Sequence, residues 1–195
     1  MDNTTYFQVL FAKLPKSNKD YLNSLMEKCS VIKLEKGEAL IRFQSNNRKM
    51  YFVAEGSFIR NIITSRGAEK TVMFHTENFC EFFKSYDSVY FKTKTNYQTI
   101  ANERSVVLAF DFDFLFEHIQ NDLPLLQDYV KKTEELFVTL DLFRNFQLGL
   151  TSEEYLKWLY EHYGFLFQRF PAQNIASFMG ITNVWLSKLK AKITL

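Results

Sequence analysis

His75, Cys80, Glu81 and His118 have the types that hold metals or attack carbonyls. A zinc or cupin-type centre needs ligands at short, fixed spacings. Neither a His-x-His nor a Cys-x-x-Cys pattern occurs. An iron–sulfur centre needs about four thiolates, and the chain has two cysteines, Cys29 and Cys80. Cys80 with His75 makes a nucleophile and base on paper, but no orienting carboxylate or oxyanion device accompanies the pair. The sequence therefore calls for no metal, no cofactor and no enzyme.

A different chemistry, the neutralisation of phosphate, is written near the other end in "QNIASFMGITNVWLSKLKAK", residues 173–192. Two helices can cross steeply only where the turn between them admits a glycine and small or apolar side chains fill the corner. Ala176 and Gly180 meet the first need, and Ile175, Met179, Ile181, Leu186 and Leu189 the second. This is the spacing of a DNA-binding helix–turn–helix. Thr182 is placed to cap the second helix, which presents Asn183, Val184, Ser187 and Lys188 outward, with Trp185 beside them. Gln173 stands at the start of the first helix. Lys188, Lys190 and Lys192 supply positive charge for phosphates. The same pattern also fits an ordinary αα-hairpin with a solvated lysine face.

The rest of the chain must position that segment. Its 195 residues are 47% hydrophobic and 17% aromatic with 21 phenylalanines, a globular composition, and its net charge of +2 leaves any attraction for nucleic acid to a local patch. The first residues lack a secretory pattern, no apolar run is long enough to span a bilayer, and two cysteines suit a reducing compartment. The expected location is the cytoplasm, with no membrane partner.

Up to about residue 110, glycine turns separate short β-rich runs. A helix over "SNKDYLNSLMEKC", with Ser17 as its cap, precedes "SVIKLEKGEALIRF", "KMYFVAEGSFIRNIITSRGAEKTVMF" and "NYQTIANERSVVLAF". The breaks at Gly37, Gly56 and Gly67 suggest a jelly roll or similar barrel. Then the period changes. Asp111 caps a short helix, and Asp122 with Pro124 starts a long one. In it Leu126, Tyr129, Thr133, Leu136, Leu140 and Phe143 follow a three–four repeat, the pattern of a dimer seam or of a face packed on the barrel. Val130 and Phe137 flank it, so two adjacent apolar faces are expected, one for the barrel and one for a second subunit. Thr151 and Glu154 have capping-box spacing and open a last unit.

The order of these parts, with "KGEAL" at 36–40, "MYFVAEGSFIR" at 50–60, "ENFCEF" at 77–82 and "IASFMGITNVWLSKLK" at 175–190, resembles the Crp/Fnr family of bacterial transcriptional regulators. The resemblance implies an α+β fold. An N-terminal double-stranded β-helix (jelly roll) of cyclic-nucleotide-binding type, with flanking helices, occupies residues 1–120. A dimerisation helix follows over 121–149, and an all-α helix–turn–helix domain over 150–195. It further implies a homodimer, recognition helices in successive major grooves of double-stranded DNA, and RNA polymerase and a small-molecule effector as further partners. The alternative is a β-roll ligand-binding or protein-interaction module that has lost operator binding.

Two departures stand out. The family's wing is expected after the recognition helix, where "ITL" stands here. Its Gly-Glu pair reads Cys80-Glu81, and "KTKTNYQT", where its phosphate-binding arginine is expected, holds none. The implied effector pocket is Phe79, Cys80, Glu81, Phe82, Lys94, Thr95 and Asn96, with Lys94 as the available cation. Without a guanidinium fork, the expectation is that cyclic AMP is not bound, and that the pocket is filled by aromatics or takes an uncharged ligand.

Overall fold

The computed structural model describes residues 3–15 and 19–192. The chain divides into two compact units, Met1–Arg60 with Phe74–Glu135, and Asn61–Met73 with Leu136–Leu195. The Ser17 cap and the "ITL" end lie outside the described residues.

Two helices lead in, α1 (Asn3–Lys13) and α2 (Lys19–Lys28). The strands are β1 (Ser30–Leu34), β2 (Ala39–Ile41), β3 (Lys49–Glu55), β4 (Ser57–Ile63), β5 (Glu69–Thr76), β6 (Phe82–Lys84), β7 (Tyr97–Ala101) and β8 (Ser105–Asp111), with a π-helical turn over Asp87–Phe91. Among the described residues they form two four-stranded sheets, ordered β1-β8-β3-β6 and β2-β7-β4-β5.

Strand alternation decides what each sheet buries. The register pairs Tyr51 with both Ala109 and Phe83, and Phe52 with both Leu108 and Phe82. On one face Tyr51 stacks on Phe83 at 5.5 Å, and Phe83 reaches Phe58 of the other sheet at 6.0 Å. On the opposite face Phe52 meets Phe82 at 4.9 Å and joins a core with Leu108 and Phe110, covered by Tyr6, Phe7 and Leu10 of α1 and Leu25 of α2. The central strands β3 and β8 are thus buried on both faces, which is why "MYFVA" and "VVLAF" are unbroken apolar runs rather than alternating ones.

Asp111 caps α3 (Phe112–Gln120), its carboxylate accepting from the Phe114 N–H at 3.0 Å. Asp122 does the same for α4 (Leu123–Gly149), accepting from Leu125 N–H at 3.1 Å. At 27 residues, α4 is about 40 Å long. The second unit adds α5 (Ser152–Tyr163), α6 (Phe165–Arg169), α7 (Ala172–Met179) and α8 (Asn183–Lys192). The Thr151 and Glu154 capping box is present at the start of α5. Among the described residues no helix is long and apolar enough to cross a membrane.

Candidate nucleic-acid interface and sensor residues

The turn between α7 and α8 forms for reasons visible in its residues. Gly180 ends α7 with φ +75, a left-handed conformation glycine adopts without strain. Gly180 N–H then bonds to Ser177 O at 3.1 Å and Ile181 N–H to Ala176 O at 2.9 Å, satisfying the last carbonyls of the helix. Thr182 caps α8, its hydroxyl accepting from Trp185 N–H at 3.1 Å. Leu186 and Leu189 face inward and are buried, as are Ile175 and Ala176 of α7. Gln147 of α4 fixes the turn from one side, donating its amide to Phe178 O at 3.0 Å.

A second brace was not anticipated from the sequence. The end of the β4–β5 hairpin in the same unit ties to α7: Ser177 Oγ accepts from Thr71 N–H at 2.9 Å, and Asn174 donates to Thr71 Oγ1 at 3.1 Å. Thr71 in turn donates to Asn61 Oδ1 at 2.9 Å. Nothing local in "NIASF" signals these partners, because they lie about a hundred residues away.

Thr182, Asn183, Val184, Trp185, Ser187 and Lys188 are all exposed along the start and outer face of α8, and Gln173 is exposed at the start of α7. The three lysines differ. Lys188 makes no ion pair among the described residues. Lys190 lies 5.0 Å over the Phe167 ring. Lys192 pairs with Glu153 at 2.5 Å, and with Lys157 it holds the Glu153 carboxyl below the usual carboxylate range. The ammonium of Lys192 is therefore engaged within the chain rather than held out for phosphate.

The α4 stripe divides in a way that corrects its expected composition. Leu126 and Tyr129 pack against the first unit's own core. Tyr129 is held there by Lys84, whose buried ammonium donates to the Tyr129 hydroxyl at 2.5 Å and the Tyr90 hydroxyl at 2.9 Å. The rings of Phe112 and Tyr129 enclose the same ammonium at 4.7 and 4.8 Å, and burial lowers its pKa. Phe143 is 4% exposed, set edge-on against Tyr163 and Phe178 at 4.9 and 5.1 Å. These three serve the chain's own cores, and Leu136 is half-buried. What remains outward is Val130, Thr133, Phe137 and Leu140, again at steps of three and four.

The expected effector residues are not brought together. Phe82 points to the helix-covered face, because its neighbour Phe83 takes the interior. Lys94 and Asn96 are exposed, whereas Thr95 is buried and donates its hydroxyl to Tyr97 O at 3.1 Å. Glu81 lies 3.8 Å from Lys13 of α1. Phe79 closes a turn, its carbonyl accepting from Thr76 N–H at 2.9 Å. Cys80 has φ +47, so the backbone keeps the shape glycine favours while carrying a side chain. Lys94 thus does not face the interior, whereas Arg60 of β4 does, with its guanidinium 4.4 Å over the Tyr97 ring. The residues after β6 give no sign of it, because Arg60 precedes them in the chain.

No protein-family model and no curated protein matches the chain in sequence. Solved structures do match in fold. FixK2 from Bradyrhizobium japonicum is 13% identical, with 85% of this chain and 84% of that one covered at a TM-score of 0.70. A CooA mutant from Carboxydothermus hydrogenoformans is 14% identical over 93% and 86%, at 0.71. The c-di-GMP responsive global regulator CLP of Xanthomonas campestris is 9% identical over 91% and 92%, at 0.69. These are regulators of the Crp/Fnr type rather than enzymes, and this chain has the Crp/Fnr-like fold.

Proposed function

We propose that the chain is a DNA-binding transcriptional regulator of the Crp/Fnr type, a cytoplasmic homodimer on a pseudo-palindromic duplex site. Residues 1–120 are its sensor, 121–149 its dimer helix and 150–195 its helix–turn–helix domain. Strand orders 1-8-3-6 and 2-7-4-5 support a jelly-roll sensor, since they are what two interlocked Greek keys produce. The exposed row Val130, Thr133, Phe137 and Leu140 supports pairing through α4, with the seam one face over from the expected stripe.

The observation that carries the reading is α8 itself. It buries Leu186 and Leu189 and turns an amide, a hydroxyl, an indole and a lysine outward in its first two turns. In this reading Asn183 pairs with adenine, Trp185 and Val184 meet sugar or thymine methyl, and Ser187, Thr182, Gln173 and Lys188 engage phosphate or base edges.

The test is selection from random genomic fragments followed by fluorescence polarisation. Wild type is expected to retain a shared, twofold-related sequence with salt-sensitive affinity. Asn183→Ala should lose about 1–3 kcal/mol of discrimination at one position of each half-site. Lys188→Ala should weaken all sequences and flatten the salt slope by about one unit, with a smaller effect for Lys192→Ala because Glu153 already holds that ammonium. Retention of no fragment would instead favour a β-roll interaction module.

A further inference from the structure

Strands β7, β4 and β5 are neighbours in one sheet, and three of their polar side chains face its interior. Alternation places Phe58 with Arg60 on one face of β4, and Tyr97 with Thr99 on one face of β7. Arg60 lies over the Tyr97 ring, so these two faces are the same one. His75 of β5 stacks on Phe83 at 4.3 Å, and Phe83 also meets Phe58, which puts His75 on that face too. Arg60 Nε, His75 Nε2 and Thr99 Oγ1 are all buried and make no hydrogen bond. His75 and Thr99 are 1% and 0% exposed. Arg60 has no ion pair among the described residues.

Buried polar groups normally find partners, and a guanidinium most of all. The donors and acceptors here are also fixed in kind. His75 Nδ1 lies 2.8 Å from the carbonyl oxygen of Cys80, which can only accept, so the ring proton sits on Nδ1 and Nε2 presents a bare lone pair. Burial, with Arg60 nearby, holds the imidazole neutral, its pKa well below the ordinary value. Arg60 offers only N–H donors. Thr99 can donate or accept.

We infer that this face binds a small organic oxyanion bearing a hydroxyl or N–H group, with Arg60 taking the anion, His75 Nε2 accepting from the protic group, and Thr99 bridging. The rings of Tyr97, Phe58 and Phe83 flank the remainder of the molecule. This names a ligand class for the sensor proposed above and rests on that reading only for its regulatory meaning. The donor set accepts carboxylate and phosphate alike, and the experiment separates them.

Matched pairs serve as probes: 3-hydroxybutyrate against butyrate, and glycerol 3-phosphate against methyl phosphate, measured by saturation-transfer NMR on the full chain without DNA. In one pair, the hydroxylated member should bind about tenfold more tightly than its partner, the size of one well-placed hydrogen bond. His75→Phe should bring that pair to parity while keeping the anion. Arg60→Met should weaken both members at least about tenfold, and Arg60→Lys should restore part of the loss. Thr99→Val gives a second perturbation should either of the other sites tolerate change poorly. Without ligand, Arg60→Met should melt at or above wild type, since Arg60 is half-buried with its Nε unpartnered and makes no ion pair among the described residues. The inference is overturned if no probe binds at tens of millimolar, if binding survives Arg60→Met, or if that variant melts below wild type and so marks a structural arginine. Because no DNA is present, such a failure leaves the α8 reading standing, and failure of DNA retention leaves this one standing.

Discussion

Phe137→Glu is expected to split the proposed dimer and leave each subunit folded. Phe137 is 68% exposed on α4, so the protomer's own core gains little from it. Full burial of such a side chain is worth about 1.5–3 kcal/mol, and with two-thirds of its surface still open, about 1–2 kcal/mol remains to be gained at an interface. A twofold interface counts each substitution twice, giving about 2–4 kcal/mol, or about 30-fold to 1,000-fold in dimer dissociation. Two glutamates brought near the axis add repulsion in the same direction. Sedimentation across a dilution series, read with circular dichroism, checks both halves. The partner experiment is Phe143→Glu, which places a charge among Trp158, Tyr163 and Phe178 and should cost the second unit its folded signal. An unchanged mass for Phe137→Glu at every concentration would refute the assignment of the seam. A folded monomer from Phe143→Glu would show the two faces reversed.

Gly56→Ala should destabilise the first unit by about 2–5 kcal/mol, measured by urea unfolding. Gly56 has φ +93, and an added Cβ would come within 2.8 Å of the Ser105 Cα, a backbone atom that cannot step aside; a loss under about 1 kcal/mol would contradict the clash. His75 is buried with its pKa depressed, so the unfolded chain takes up the proton first and stability is lost as pH falls below about 6.5, at a slope approaching 1.4 kcal/mol per pH unit. His75→Gln should remove that slope, and parallel curves for the two proteins between pH 7 and pH 5 would rule it out. Burial pushes both thiols, Cys29 and Cys80, up to about 12. Native protein at pH 8 should therefore react with maleimide on the order of 10³-fold more slowly than unfolded chain, and rapid labelling of either would refute it.

What the sequence made legible was local. Caps at Asp111, Asp122 and Thr151 can be read because cap and recipient lie within three residues, and the turn at Gly180 because one residue type suits it. The helix α1 was not expected, although capping residue types stand at its start in "DNTT" and its buried residues Tyr6, Phe7 and Leu10 follow helical spacing. The α4 stripe showed two apolar faces but not which went where. That choice depends on Lys84 reaching Tyr129 from β6, and on Phe143 finding Tyr163 and Phe178, contacts with no signature in the helix itself.

The interior face shows the same limit most sharply. In "ENFCEFFK" two phenylalanines stand side by side, and alternation requires one to face the opposite sheet and the other the helices. Only the pairing of Tyr51 with Phe83 decides between them. The same parity problem hides Arg60 within "GSFIRN", where Phe58 and Arg60 share one face and Ile59 and Asn61 the other, and the sequence alone makes the arginine's face look like the solvated one. The cation at the family's usual place along the chain is Lys94, which faces solvent. In space, a guanidinium stands on the neighbouring strand β4, where Arg60 lies above Tyr97. The absence of arginine from "KTKTNYQT" therefore excludes one way of holding an anion in this fold, not the holding of anions. It is the strand register that brings β7, β4 and β5 together, with His75 Nε2, Thr99 Oγ1 and Arg60 Nε on one side, and the anion site proposed above rests on that placement rather than on any local motif.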